Sequence, residues 1–249
     1  MKVFLTGRNL GALKNALLTA CIDVVDNVDL ADLVITYGGD GAMLGAERAY
    51  PGKLKFPIRD IETAPLCKKH ILFKQLGELM SGTLKTVNLQ KLSGSANGRE
   101  LKAINDVFIH NSNYVSAMRY NIWIDDELYG REIVGDGVGL STILGATAYY
   151  RSITHGVFRT GIGLAFSNST EVVNHMVLPE TAVIRIVILR GPCELVADNS
   201  PERIELNEGD TAILKLSSET TPVLGLDNFM CPDCRNLRHD LRNTMNRGS

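Results

Sequence analysis

Short apolar runs separated by glycine and polar turns dominate the first third of the chain. Lys2–Gly7 predicts a strand closed by a glycine turn, and leucines at helical spacing over 10–20 predict a helix for which Asn9 is the candidate cap. The β-branched runs 22–25 and Leu33–Tyr37 predict two more strands. This alternation is typical of an open α/β sheet over residues 1 to about 85.

The pattern changes after residue 103, where short strand-like runs follow one another. They are 103–109, 119–124, 128–134, 161–166, 183–189, Arg203–Leu206 and 211–216. Asp125, Asp126 and Glu127 separate two of these runs as a hairpin tip, and residues 147–152 and 234–244 are compatible with helices. The sequence therefore predicts an α/β amino-terminal domain followed by a β-rich carboxyl-terminal domain.

Composition narrows the class of protein. The chain has 249 residues, of which 45% are hydrophobic and 22% charged, enough for one large domain or two lobes with buried cores. A net charge of −2 leaves no basic surplus for nucleic acid, and no apolar window approaches the length of a membrane helix. The 5 cysteines are an odd number without a secretory signal, so we expect reduced thiols or a metal site in a cytoplasmic protein.

The turn Gly38-Gly39-Asp40-Gly41 follows the run Leu33–Tyr37 and precedes a helix-compatible segment, 42–48. Such strand-to-helix turns in α/β proteins present backbone N–H groups to phosphates. Asp40 would repel a phosphate, so it requires a hydroxyl donor or a metal ion beside it. The turn therefore indicates phosphoryl transfer, and the alternative is a glycine turn with a solvated acid.

Two later segments carry further polar candidates. Asn105 and Asp106 are polar among apolar neighbours, so the pair either ends a turn or binds amide and hydroxyl groups of a ligand. Segment 135–149 combines spaced glycines, the hydroxyl side chains of Ser141, Thr142 and Thr147, and Tyr149, which suits a loop that contacts a flat polar ligand such as a nucleotide. A glycine-rich loop without a ligand is the alternative.

With these three motifs in this order, the chain resembles the NAD kinase family, whose signature is a GGDG turn, an Asn-Glu or Asn-Asp pair and a GDGxxxSTPTGSTAY-like loop. The match at 135–149 is the most specific part, and the resemblance covers residues 1 to about 245. It implies a two-domain fold whose carboxyl-terminal helix packs back on the first domain. The domains would be 1–98, with a return of about 228–246, and 99–227, with the active cleft between them.

The resemblance also implies an activity, which is transfer of the γ-phosphoryl group of ATP to the 2′-hydroxyl of the adenosine ribose of NAD, with Mg²⁺ or another divalent cation. Asp40 would be the general base, and Gly38, Gly39 and Gly41 would contact the nucleotide. The implied substrate-binding residues are Asn105, Asp106, Asp136, Thr147, Ala148 and Tyr149. Because the family shares pocket residues between protomers, we expect a homodimer or homotetramer. We expect neither nucleic acid nor a membrane as partner.

Two departures from the family pattern concern recognition of the ligands. Ile143 and Leu144 stand where the family has Pro and then Ser or Thr, which removes a polar contact to the substrate. Residues 55–65 read as a charged loop bracketed by prolines where the family has a glycine-rich segment. Within it Arg59 is a candidate phosphate ligand, and an Arg59–Asp60 surface pair is the alternative.

Two cysteine-containing pairs have metal-knuckle spacing. Cys67 and His70 form a CxxH immediately after the altered loop, and Cys231 and Cys234 form a CxxC near the end of the chain. Together they predict a tetrahedral zinc site of the closed structural type. The alternatives are an incidental CxxC, Cys67 in the core and His70 as a helix cap.

The departures leave three functions to separate. NAD phosphorylation is the first. The second is a kinase of the same fold acting on another acceptor, such as a sugar or nucleoside, and the third is a nucleotide-binding sensor that has lost turnover. Retention of Asp40 argues against the third.

Overall fold

The structure is a computed structural model that describes residues 1–61 and 65–246, with side chains described to residue 240 in the last helix. Its strands are β1 (Lys2–Gly7), β2 (Asp23–Val24), β3 (Leu33–Tyr37), β4 (Lys55–Ile58), β5 (Thr86–Ala96), β6 (Arg99–Ala103), β7 (Asp106–Asn111), β8 (Met118–Ile124), β9 (Glu127–Gly135), β10 (Gly137–Ser141), β11 (Ile162–Ser167), β12 (His175–Leu178), β13 (Val183–Arg190), β14 (Cys193–Ala197), β15 (Arg203–Leu206) and β16 (Thr211–Leu224). Its helices are α1 (Leu10–Thr19), α2 (Asp40–Ala49), α3 (Leu72–Met80), α4 (Tyr149–Thr154), α5 (Leu226–Phe229) and α6 (Pro232–Asn246).

The chain divides into two compact units. Unit 1 comprises residues 1–89 and 221–249, and unit 2 comprises residues 90–220. The chain therefore leaves unit 1 within β5 and returns to it within β16. The sequence had suggested boundaries at 98/99 and 227/228.

Unit 1 is an α/β layer built on parallel strands. The strand order is β2-β1-β3-β4, and the end of β16 joins beside β4, where Val223 pairs with Lys55. Helices α1 and α3 bury apolar side chains against this sheet, including Leu13 of α1 and Leu76 of α3. The carboxyl end of β3 leads directly into α2, which places the glycine turn where parallel sheets present ligand sites.

The start of α1 differs from the prediction. Asn9 is the residue before the helix, but it adopts a left-handed conformation with φ of 54° and makes no capping hydrogen bond. Its side-chain Nδ2 instead donates to Asp60 Oδ2 at 2.7 Å. The amide is used for a long-range contact, which local sequence spacing does not reveal.

Unit 2 is β-rich. A six-stranded antiparallel sheet has the order β12-β11-β10-β7-β14-β15, and a second group of antiparallel strands contains β9, β8, β13 and the first half of β16. Alternate residues of both groups, such as Ile109, Leu140, Ile186 and Leu214, form one buried cluster. The hairpin tip is confirmed, because Ile124 pairs with Glu127 while Asp125 and Asp126 have positive φ.

Two segments predicted as loops are strands. Residues 137–141 of the glycine-rich segment form β10, which is fully buried between β7 and β11. A Cβ atom at Gly139 would lie 2.3 Å from Val107 O, so glycine here permits close packing inside a sheet. Residues 55–58 form the buried strand β4, with Lys55 paired to Glu47, while residues 62–64 of that predicted loop lie outside the described residues.

The prediction of an α/β amino-terminal region and a β-rich region after it is confirmed. In the part of the chain that the structure describes, every helix is too short or too polar to cross a membrane.

Candidate functional site

The glycine turn of unit 1 lies between β3 and α2. Gly38 has φ of 151°, a conformation that favours glycine, and its N–H donates to Ile58 O at 2.9 Å. Gly39 precedes the helix, and Asp40 is the first helical residue. The Asp40 carboxylate therefore lies at the positive end of the α2 dipole, which suits a site that handles phosphate beside a base.

Arg59 holds the Asp40 side chain. Its Nη2 donates to Asp40 Oδ1 at 2.9 Å, and its Nε donates to Phe229 O at 3.1 Å. The guanidinium carbon also lies 4.0 Å from the centre of the Phe229 ring. The Arg59 side chain is 9% exposed and that of Asp40 61% exposed, so a buried cation orients a carboxylate that remains open to a ligand.

The alternative of an Arg59–Asp60 surface pair is wrong, because both residues are buried. Arg59 instead lies at the glycine turn: a Cβ atom added at Gly39 would be 4.0 Å from Arg59 Nη1. The structure thus brings together Gly38, Gly39, Asp40, Gly41 and Arg59 within unit 1.

In unit 2, Asn105 and Asp106 lie at the start of β7, held by Asp198. The Asp198 carboxylate accepts the backbone N–H groups of Ile104 and Asn105 at 2.8 Å and that of Asp106 at 3.2 Å. Thr142 supports the same turn from the other side, since its Oγ1 donates to Ile104 O at 2.6 Å and its N–H to Asn105 O at 2.8 Å. The backbone of the Asn-Asp pair is therefore fixed on both sides.

Burial, together with the charge of Asp198, raises the pKa of Asp106 to about 7. Near neutral pH this carboxyl is present in both protonation states, so it can donate to one ligand oxygen or accept from a hydroxyl. This ability to donate and accept suits a residue that binds hydroxyl groups of a ligand, which is one of the two roles that the sequence predicts for Asp106.

Asp136 and Tyr149 share a cavity of about 540 Å³ in unit 2, and Tyr149 also borders a second one of about 460 Å³. The Tyr149 ring lies 4.9 Å from that of Phe108 and 5.4 Å from that of His110. Asp136 Oδ2 accepts a hydrogen bond from Asn168 Nδ2 at 3.0 Å. Aromatic faces next to a carboxylate and amides suit a planar polar ligand.

The imidazole of His110 faces this cavity, and burial lowers its pKa, outweighing the opposite effect of Glu194. His110 is therefore neutral at pH 7 and offers one donor and one acceptor nitrogen.

Thr147 and Ala148 lie at the entry to α4. Thr147 ends a short 3₁₀ turn, Gly145–Thr147, and Ala148 is the residue before the helix. Thr147 Oγ1 is engaged with Leu144 O at 3.3 Å, and Ile143, one of the departures from the family pattern, is exposed.

The sequence analysis did not identify several of the residues that contact these candidate site residues. Asp198 had a usable signal, since it is an acid directly after the buried strand β14. His110 and Asn168 had no spacing relation to Tyr149. Phe229 lies 170 residues from Arg59 in sequence, so no local pattern relates them.

The two cysteine-containing pairs come together in unit 1. One ligand atom from each of Cys67, His70, Cys231 and Cys234 lies within 4.8 Å of the others. His70 Nδ1 is 3.3 Å from Cys67 Sγ and 3.5 Å from Cys234 Sγ. All five cysteines are free thiols, and Cys67 is partly exposed rather than a core residue.

Comparison with known proteins finds curated NAD kinases that are similar to this chain over most of its length. No family model matches the chain. It is 26% identical over 221 residues to the NAD kinase of Clostridium beijerinckii, and the aligned region covers 84% of this chain and 75% of that protein. It is also 26% identical over 247 residues to the bifunctional NADP phosphatase/NAD kinase of Methanococcus maripaludis, covering 92% of this chain and 42% of that protein.

Solved structures agree on the fold. Yeast NADH kinase complexed with NADH matches with a TM-score of 0.75 and 19% identity, over 90% of this chain and 83% of that one. An NAD kinase from Archaeoglobus fulgidus in complex with ATP matches with a TM-score of 0.75 and 16% identity, over 97% of this chain and 99% of that one.

Proposed function

We infer that this chain is a divergent member of the NAD kinase family and that it phosphorylates the 2′-hydroxyl of the adenosine ribose of NAD with ATP to give NADP. The observation that carries the proposal is the Asp40 carboxylate, 61% exposed at the start of α2 and held by Arg59 at 2.9 Å. A base at the amino-terminal end of a helix, where the helix dipole favours phosphate, is what transfer of a phosphoryl group to a hydroxyl requires.

In the proposed reaction the ribose hydroxyl oxygen attacks the γ-phosphorus of ATP, its proton passes to Asp40, and the bond to the ADP oxygen breaks. The transition state is loose, so alignment and charge compensation contribute most of the rate. Arg59 keeps the carboxylate in one orientation through the bond from Nη2. The divalent cation enters with ATP as part of the substrate and neutralises phosphate charge.

The residues that bind the phosphates are proposed to be the turn residues and Arg59, all in unit 1. Gly38, Gly39 and Gly41 allow the nucleotide to approach the backbone, because side chains there would occupy that space. Arg59 Nη1 lies on the Gly39 side of the guanidinium, where a phosphate oxygen would meet it.

The residues of unit 2 that are proposed to bind the dinucleotide are Asn105, Asp106, Asp136, Thr147, Ala148 and Tyr149. Asp106 suits a ribose because its carboxyl, with a pKa of about 7, both donates and accepts. Tyr149 and Asp136 border the cavity of about 540 Å³, which offers a ring face and a carboxylate to a planar ring.

The remaining parts of the proposal concern assembly, location and metal. We propose a homodimer or homotetramer, a cytoplasmic location that agrees with five free thiols, and a zinc ion of structural type at Cys67, His70, Cys231 and Cys234.

The test is an ATP-consumption assay over NAD, NADH, nucleosides and sugars, with NADP detected by an NADP-specific dehydrogenase. Asp40→Asn is expected to lose at least about 100-fold in kcat, since it removes the base. Asp26→Asn, the same change at an exposed aspartate of unit 1, is the matched control and should retain full activity. Turnover of a sugar or nucleoside in place of NAD would reassign the acceptor, and ligand binding without turnover would refute a kinase.

A further inference from the structure

The four cysteine and histidine ligand atoms are spaced as a tetrahedral zinc site requires. With Zn–S near 2.3 Å and Zn–N near 2.0 Å, ligands of such a site lie about 3.5–3.8 Å apart. His70 Nδ1 lies 3.3 Å from Cys67 Sγ and 3.5 Å from Cys234 Sγ, and all four ligand atoms lie within 4.8 Å of one another. His70 turns Nδ1 toward the thiols, which makes that nitrogen the ligand atom.

The backbone around the cluster also suits thiolates. Cys67 N–H donates to Cys234 Sγ at 3.3 Å, and the turn from Cys67 to His70 is closed by His70 N–H donating to Cys67 O at 2.9 Å. Cys231 immediately precedes α6 and Cys234 lies in its first turn, where the positive end of the helix stabilises negative sulfur.

Charge near the cluster favours an anionic complex. Zinc with three thiolates and one neutral imidazole carries a net charge of about −1. Arg238 of α6 lies one helical turn after Cys234, and besides Arg59 and Asp40 it interacts electrostatically with Cys234 and Cys231. Among the described residues its Nη1 is buried with no hydrogen-bond partner. A negative metal complex beside this guanidinium would compensate its charge, which three neutral thiols do not.

The cluster is linked to Asp40 through a short chain of contacts. Phe229 is two residues before Cys231, and it holds Arg59 by its carbonyl at 3.1 Å and by its ring at 4.0 Å. Arg59 in turn holds Asp40. Fixing residues 231 and 234 therefore fixes the segment on which the orientation of Arg59 depends.

We propose that one zinc ion, bound by Cys67, His70, Cys231 and Cys234, joins α6 to the turn 67–70 and thereby positions Arg59 against Asp40. Binding replaces the thiol protons of the three cysteines by bonds to zinc and releases those protons to solvent. The metal site stands on its own geometry, while its effect on turnover rests on the proposed function.

The first experiment measures zinc in the purified full chain by plasma mass spectrometry. One zinc per chain is expected for the natural sequence and for two controls, Cys193→Ser at a buried thiol of unit 2 and Cys21→Ser at an exposed thiol of unit 1. Cys67→Ser, at the least buried cysteine of the cluster, is expected to retain less than about a tenth of the metal after dialysis against a chelator. Zinc well below one per chain in the natural sequence would overturn the proposal, as would a disulfide between cluster cysteines.

Cobalt provides a measurement that does not depend on whether a variant folds. The metal-stripped natural chain, titrated with Co²⁺, should develop the thiolate-to-cobalt and d–d absorption bands of a tetrahedral site and saturate at one equivalent. Cys193→Ser should give the same spectrum. Weak octahedral bands, or bands unchanged in Cys67→Ser, would contradict these ligands.

The positioning role is tested by a cycle of metal removal and Arg59→Gln. Removing zinc should lower kcat about 10-fold in the natural chain and have almost no further effect in Arg59→Gln, because the contact that zinc supports is already absent. Readdition of zinc should restore kcat only where Arg59 is present. Equal losses in both proteins would mean that zinc supports the fold alone. A chain that binds zinc and phosphorylates nothing would leave the metal site standing and refute the kinase.

Discussion

Replacement of Asp106 by asparagine tests the electrostatics of the Asn-Asp turn. Asn has the shape and hydrogen-bonding groups of a protonated aspartate, so Asp106→Asn removes the titration without opening a cavity. In the natural chain, burial and then the charge of Asp198 raise the pKa of Asp106 from 3.8 to about 7. Asp198 itself is held by three backbone N–H groups and stays in place in the variant.

The sign and size of the effect follow from proton linkage. Between pH 4 and pH 7 the folded chain holds a proton on Asp106 that the unfolded chain has released, so stability falls as pH rises through this window and is constant above it. Each pH unit is worth about 1.4 kcal/mol, so the loss between pH 5 and pH 8 is roughly 3 kcal/mol. Asp106→Asn does not incur this loss.

The assay is urea unfolding of the natural chain and of Asp106→Asn at pH 5 and pH 8. The unfolding free energy of Asp106→Asn minus that of the natural chain should be roughly 3 kcal/mol larger at pH 8 than at pH 5. His110 and other titrating groups are common to both proteins and cancel in that difference. Asp26→Asn, at an exposed site, should show almost no shift. An equal difference at both pH values would refute the argument.

Three other changes are predicted from contacts. Lys55→Met leaves the buried Glu47 carboxylate without its partner and should cost about 3–5 kcal/mol in urea unfolding, while Lys55→Met with Glu47→Leu should recover most of it. Gly139→Ala places a Cβ 2.3 Å from Val107 O and should cost about 3 kcal/mol by thermal unfolding, whereas Gly11→Ala, with open space in α1, should be neutral or stabilising. Tyr149→Ala should raise KM for NAD several-fold and Tyr149→Phe should not, because the ring contacts with Phe108 and His110 need no hydroxyl; equal KM values would exclude the ring from binding.

The sequence predicted the features that local patterns determine. The β-branched run before Gly38 requires a strand, and the glycines after it require a turn, so the position of Asp40 at the start of a helix followed from neighbours within ten residues. The hairpin at Asp125 and Asp126 followed in the same way. The comparisons confirm the resemblance to NAD kinases and the fold class, and the activity and the roles of individual site residues stay proposals.

The features that local patterns did not predict depend on contacts with residues that are distant in the sequence. Glycines at 137 and 139 suggested a loop, but they lie in β10 because strands on both sides approach too closely for side chains. Residues 55–65 suggested a charged loop, but Lys55 lies in the buried strand β4, where its Nζ donates to two backbone carbonyls and pairs with Glu47. Asp198 and Phe229 reach their partners across 92 to 94 and 170 residues, distances over which spacing carries no information.

The discontinuity of unit 1 has a consequence for biosynthesis. Its final strand segment and last two helices are translated only after all of unit 2, and at about 5–20 residues per second the roughly 130 intervening residues take roughly 7–25 s. Throughout that interval the nascent β4 has β3 beside it but not the end of β16, and Arg59 lacks Phe229. The contacts through which Phe229 and Arg59 support the Asp40 side chain can therefore form only after the whole of unit 2 has been synthesised.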